Sequence, residues 1–318
     1  MNLAGLFGAL VPVFFVLALG YVAGKRNDFD ADQASGLSKL ALNYALPASL
    51  FVGMTHIPRE LMLEQGRLLL ALLLVHPGLF LISWFALNFS KRFAGAPSVI
   101  YALVLATSAT PVFGLAILEP ILGPSSAGAV GLVAVAINLT VPLAVILLEV
   151  QAAKSRQSPG GTQSNPILQG LGSGLRSPLL WGPILGVAFV LAEIHLPTAI
   201  ASSFELIGSA TSGVAVFAVG LVLAAHAIRI SPLVLIGSLA RVTVQSALLF
   251  VLLHLLGVHS PFAREALVCC SFPLATVVVL FAARYHVVES EAASMLLLST
   301  LLLSVTVPTT VWLTRLAS

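Results

Sequence analysis

The chain has 318 residues, of which 58% are hydrophobic and only 8% charged, and its mean hydropathy is +1.06. A soluble domain carries roughly 25% charged residues, so the composition excludes an ordinary water-soluble globule and points to an integral membrane protein. The net charge of +3 is spread over short loops, which reads as anchoring charge rather than a nucleic-acid surface, and the length leaves no room for a separate catalytic domain of ordinary size.

Apolar runs long enough to cross a bilayer, about 20 residues each, occur ten times: near 3–23, 32–54, 66–87, 98–118, 127–149, 178–194, 198–225, 232–256, 262–283 and 290–314. The first lacks a basic leader and a small-residue cleavage site, so it is expected to be a retained helix. In the second, Asn43 stands four residues before Pro47; its amide either binds a substrate or satisfies carbonyls freed by that proline. His76 lies beside Pro77 in the third and is either a proton relay or a hydrogen-bonded structural residue. The fourth contains Ala106-Thr107-Ser108-Ala109-Thr110-Pro111. Hydroxyl residues beside a mid-span proline predict a broken helix, which hydrocarbon does not tolerate unless the break is buried in protein or lines a polar cavity. Asn138 and Pro142 in the fifth repeat the spacing of Asn43 and Pro47, with a structural role favoured.

Residues 151–177 have the Pro-Gly and Ser/Gln content of a flexible linker. The seventh span carries Glu205 near one end, then Ser209, Thr211 and Ser212, which serve either a substrate or ordinary helix packing. Arg241 lies roughly 15 Å into the eighth span. An ionised side chain at such depth costs at least ~2.5 kcal/mol, so an anionic substrate, a carbonyl cluster from a broken helix, or snorkelling of the stem must compensate. The ninth span holds the adjacent Cys269 and Cys270, read as packing residues, and then Ser271-Phe272-Pro273-Leu274-Ala275-Thr276, a second hydroxyl-proline break.

The linker divides the chain into 1–150 and 178–318, each with five spans. Five is odd, so two similar halves must insert with opposite orientation; Asn138-Leu139-Thr140-Val141-Pro142 and Ser304-Val305-Thr306-Val307-Pro308 match in order. The expected fold is all-α, with ten transmembrane helices as two inverted five-helix repeats and crossed, broken fourth and ninth helices. Lys25, Arg26, Lys91, Arg92, Lys154, Arg156, Arg176, Arg229 and Arg284 fall on one side and Arg59, Arg67, Arg264 and Arg315 on the other, which puts both termini outside. The breaks at Pro111 and Pro273 lie near mid-depth, where free N–H groups and positive helix ends make an anion site. Ser108, Thr110, Ser271 and Thr276 add hydroxyl donors.

Leu40-Ala41-Leu42-Asn43-Tyr44-Ala45-Leu46-Pro47-Ala48-Ser49-Leu50-Phe51 resembles the second helix of the auxin efflux carrier family of permeases. Ser177-Pro178-Leu179-Leu180, Ile194-His195-Leu196-Pro197 and Gly220-Leu221-Val222-Leu223 resemble its sixth and seventh helices, and Phe272-Pro273-Leu274-Ala275 and Ala282-Ala283-Arg284-Tyr285 its ninth. The resemblance implies a scaffold domain and a transport domain, and elevator-type secondary transport of small organic anions, malonate among them in bacterial members, across the inner membrane. It departs from the family at the fourth break, where an asparagine is common, and in the seventh helix, where Ser209-Ala210-Thr211-Ser212-Gly213 replaces a proline; both leave the substrate open. The expected substrate-binding set is Asn43, Ser108, Thr110, Pro111, Ser209, Thr211, Arg241, Ser271, Pro273 and Thr276, with His76 and Glu205 for proton coupling and no metal or cofactor. Carriers of this construction are often homodimers. The alternatives are a sodium-coupled bile-acid-type carrier and a non-transporting membrane receptor. A phosphate loop, a His-Glu-x-x-His pair and a Gly-x-Ser-x-Gly elbow are all absent from the sequence, which disfavours an ATPase, a metalloprotease or an esterase.

Overall fold

A computed structural model describes residues 3–110, 114, 118, 126–155, 168, 172, 175, 176, 178–225, 228–258 and 261–316. Pro111 and most of the expected linker lie outside these residues. The regular elements among them are all helical: α1 (Leu3–Lys25), α2 (Ala31–Leu40), α3 (Leu46–Thr55), α4 (Arg59–Glu64), α5 (Gly66–Leu73), α6 (Leu79–Asn88), α7 (Ala96–Ala106), α8 (Ser126–Ser155), α9 (Pro178–Leu191), α10 (Thr198–Ala225), α11 (Pro232–Leu255), α12 (Pro261–Cys270), α13 (Thr276–Tyr285) and α14 (Glu289–Leu316). Among the described residues, five helices are long and apolar enough to cross a membrane: Gly66–Asn88, Gly128–Ser155, Thr198–Ala225, Pro232–Leu255 and Glu289–Leu313.

Local sequence explains where the helices start and deform. Asp30 opens α2 with a reciprocal cap, its carboxylate accepting from Gln33 N at 2.8 Å while the Gln33 side chain accepts from Asp30 N at 2.9 Å. α2 passes into α3, and α5 into α6, through single wide turns at Ala41–Ala45 and Leu74–Gly78. Pro47 and Pro77 lie in or just after these turns, and a proline cannot supply the N–H that a regular helix needs there, so the backbone widens instead of breaking.

The helices pack in two groups. α1, α2 and α3 pack with α9 and α10, and α5 to α8 pack with α11 to α14, so each group draws on both ends of the chain; α8 against α9 and α10 against α13 join the two. Glycines bind the first group tightly. A Cβ on Gly20 would lie 2.2 Å from the Phe217 carbonyl oxygen and one on Gly220 2.4 Å from that of Leu17, so the backbones of α1 and α10 touch. A Cβ on Gly186 would lie 2.4 Å from Met54 Cβ, which seats α9 on α3 in the same way.

Two apolar cores flank the breaks, and the chain crosses between them twice in opposite order. α7 ends in one core at Ala106 and Ala109 sits in the other; Cys270 and Phe272 sit in that second core, and Leu274 and Val278 return to the first. Both cysteines are free and fully buried, as packing residues should be.

Candidate functional site

Where the fourth run is expected to break, α7 stops. Thr107 is extended (φ −119°, ψ 143°), and Thr107 to Ala109 are non-helical before helix resumes at Thr110. In the ninth run the non-helical residues are Ser271 to Ala275, with Pro273 buried at their centre. The two breaks touch: Ala109 N donates to the Pro273 carbonyl at 2.9 Å, and Thr110 Oγ1 donates to the Cys269 carbonyl at 3.2 Å. Because that bond uses the only Thr110 hydroxyl proton, the 2.7 Å contact between Ser108 Oγ and Thr110 Oγ1 has Ser108 as donor. Ser271 Oγ turns back onto Val268 O at 2.7 Å. From α14, Ser299 Oγ accepts Leu274 N at 3.1 Å, and Thr306 Oγ1 donates to Ser271 O at 3.1 Å.

Beside this crossing lies a cavity of about 500 Å³. One wall comes from the second packing group: Ser108 and Ala109 at the first break, Asn138 on α8, and Ala275 and Thr276 at the start of α13. The facing wall comes from the first group, with Ser49 on α3 and Gly208 and Ser209 on α10. Gly208 keeps α10 close, since a Cβ there would lie 3.0 Å from Ser49 N. Ala275, the N-cap of α13, makes no side-chain capping bond, so the first-turn N–H groups of that helix lack the usual side-chain acceptor. At one end of the cavity His56 Nε2 meets Glu205 Oε1 at 3.3 Å, both largely exposed.

Arg241 is fully buried and does not line the cavity. Its guanidinium donates to the carbonyls of Cys270 at 3.2 Å and Phe272 at 3.0 Å, which makes the broken helix the compensating partner of the buried charge. One turn further along α11, Gln245 Nε2 donates to the Ala106 carbonyl at 2.9 Å, where His76 Nδ1 also arrives at 2.8 Å. Both groups can only donate to that oxygen, so the 3.1 Å approach of Gln245 Nε2 to His76 Nδ1 is convergence on a shared acceptor. His76 Nε2 and Gln245 Oε1 are buried without partners.

Of the expected site residues, the fold therefore brings Ser108, Ser209, Glu205 and Thr276 to one cavity. Thr110, Ser271 and Pro273 lie in the break behind it and Arg241 and His76 behind that, while Thr211 lies on α10. Asn43 is elsewhere: its Oδ1 accepts from Arg284 Nη1 at 3.0 Å, close to Glu149, which takes the Tyr285 hydroxyl at 2.7 Å. Asn43 and His56 are 13 residues apart, roughly 20 Å along the helix, so this cluster lies at the end of the molecule opposite the His56–Glu205 pair. Sequence reasoning passed over Ser49 and His56, and also Glu265, which is buried on α12 with Oε2 unpaired. The Glu on an apolar helix face was visible in the sequence, and Ser49 lies inside the second-helix motif without standing out there; His56 carries no local signal.

The chain is 34% identical over 315 residues to the "Uncharacterized transporter YfdV" of Escherichia coli (strain K12), covering 98% of each chain. It is 24% identical over 326 residues to the "Putative malonate transporter" of Rhizobium meliloti, covering 98% of this chain and 97% of that one. The "Lysosomal cholesterol signaling protein" of Mus musculus is 24% identical over 332 residues, which span 98% of this chain but 38% of the mouse protein. A family model described as "Membrane transport protein" matches residues 6–313. The chain is a multi-pass membrane protein of the Membrane transport protein family, the auxin efflux carrier group that its motifs resemble.

Proposed function

We propose that this protein is a secondary transporter of a small organic anion, a malonate-like carboxylate, working by elevator-type alternating access. The reading rests on ten spans in two inverted repeats, 1–150 and 178–318, joined by a linker at 151–177. The single observation that carries it is the Ala109–Pro273 backbone bond, which ties the two breaks together at the wall of a cavity formed between the two packing groups. Thr276 and the uncapped start of α13 offer donors to a carboxylate from one group, beside Ser108 on the same wall, and Ser49 and Ser209 face them from the other. Sliding of one group past the other changes which end of the cavity meets water. The His56–Glu205 end faces outward in the orientation drawn from the basic residues, and the Arg284–Asn43 bond, which spans the two groups, lies toward the inner side. The malonate transporter of Rhizobium meliloti supports the substrate class.

Liposomes holding only this protein test the proposal. Saturable counterflow of labelled malonate, unchanged when sodium is replaced, is the expected result; binding without flux would support a receptor instead, and sodium dependence the bile-acid-type carrier. Proton coupling through His76 and Glu205 belongs to the same proposal. His76→Gln keeps a donor for the Ala106 carbonyl but removes the titrating ring, so gradient-driven uptake should lose its dependence on external pH while counterflow persists. Uptake with the parent pH profile would remove His76 from coupling.

A further inference from the structure

We propose that Arg241 sets the charge preference of the cavity from behind the crossing, by neutralising the negative end of α12 so that the uncapped positive end of α13 governs the field on the ligand. The inference rests on the anion-carrier reading above and names the residue that makes the site prefer anions.

Wherever a helix breaks and resumes, a carbonyl end and an amide end lie close together, each equivalent to roughly half an elementary charge of opposite sign. Two crossed breaks bring two of each to one place, and bare ends would largely cancel. Here they are treated unequally. Ala106 O, at the end of α7, receives Gln245 and His76, neither of which carries a permanent charge. Cys270 O and Phe272 O, at the end of α12, receive the full positive charge of Arg241. That charge exceeds what the carbonyl end alone carries, so the balance at this break is positive.

The amide end of α13 has no matching acid among the described residues. Ala275 caps α13 without a side-chain bond and lies on the cavity wall. Among the described lining residues the one carboxylate is Glu205, at the far end beside His56. Arg241 and Gln245 are four residues apart on α11, hence on one face, and both point at the breaks, which is why one helix serves both carbonyl ends. The fork of an arginine reaches two carbonyls two residues apart; a lysine would reach one at a time. Full burial keeps the guanidinium away from counter-ions, so salt does not screen it as it would a surface charge. No contact between Arg241 and the ligand is required, and none is available, since the side chain is absent from the cavity wall.

The test compares binding of malonate with binding of malonamide, its uncharged analogue, to purified protein in detergent, alongside malonate counterflow in vesicles. Arg241→Gln should reduce the malonate-to-malonamide affinity ratio by about tenfold or more, with KM for malonate rising by a similar factor and kcat holding within about threefold. Arg241→Lys, which keeps the charge and loses the fork, should hold the ratio within about threefold of the parent. A second pair does not depend on how Arg241 variants fold. Ala275→Asp and Ala275→Asn both cap α13 favourably, and only Asp adds a negative charge, so Asp should bind malonate about tenfold more weakly than Asn. An unchanged ratio in Arg241→Gln, equal losses in Gln and Lys, or equal affinities in the Ala275 pair would overturn the proposal. Absent counterflow in the parent protein would overturn the carrier reading alone, because the binding ratio is measured without transport; a parent that binds malonate no better than malonamide would overturn the charge assignment.

Discussion

Replacing Gly220 with leucine is expected to prevent α1 and α10 from packing and to cost the protein its monodisperse folded form. The Cβ alone would sit 2.4 Å from Leu17 O and 2.8 Å from Gly20 Cα, and both are backbone atoms that cannot rotate aside. Relief requires the helices to separate along their length. Overpacking of this kind costs about 1–3 kcal/mol or more even when side chains can adjust, and here they cannot. Gly213, on the same helix, has nothing within 4 Å of a built Cβ, so Gly213→Ala should be neutral or slightly stabilising, by up to about 1 kcal/mol. Thermal unfolding of the two variants in one detergent checks the contrast. A Gly220→Leu protein as stable as the parent would mean that α1 and α10 do not meet as described.

Ala109→Pro is expected to impair transport severely while leaving the outer helices packed. The substitution deletes the N–H that donates to the Pro273 carbonyl and leaves that carbonyl unpaired between two apolar cores. An orphaned buried acceptor costs about 1–3 kcal/mol, which as a shift in the population holding the breaks together is roughly 5- to 150-fold. Ala109→Gly keeps the N–H and should retain most of the counterflow rate, so comparison of initial rates at equal protein density separates loss of the bond from loss of the methyl. Equal rates for Pro and Gly would show that the bond does not organise the site.

The positions of the breaks were legible because their chemistry is local. Hydroxyls and a proline within six residues disrupt helix hydrogen bonding wherever they occur, so Thr107 to Ala109 and Ser271 to Ala275 left the helix as the sequence implied. Ser108 and Thr276 belong to those breaks and line one cavity, whereas Ser209, which the sequence left between a substrate and ordinary helix packing, reaches it from α10. Partner choice was not legible. The depth of Arg241 in its span could be counted, but its direction depended on where α12 ends in space, and the sequence left substrate, carbonyls and interface all open. Asn43 was read against the neighbouring Pro47, whereas its partner Arg284 lies 241 residues away. The near-contact of Gly20 with Gly220 is likewise a long-range fact, invisible in either helix alone. The wide turns at Ala41–Ala45 and Leu74–Gly78 were read as ordinary proline positions, because sequence shows a missing donor without showing whether the backbone kinks or swells.

The most direct measurement uses a single cysteine at the crossing. Thr276 is partly exposed on the cavity wall, and the native Cys269 and Cys270 are fully buried, so Thr276→Cys introduces one reachable thiol. A charged, membrane-impermeant thiol reagent added to intact vesicles should modify it, and malonate should slow that modification in a saturable way. A thiol at this position that the reagent never reaches, or reaches at the same rate with and without malonate, would contradict a water-filled anion cavity where the two broken helices meet.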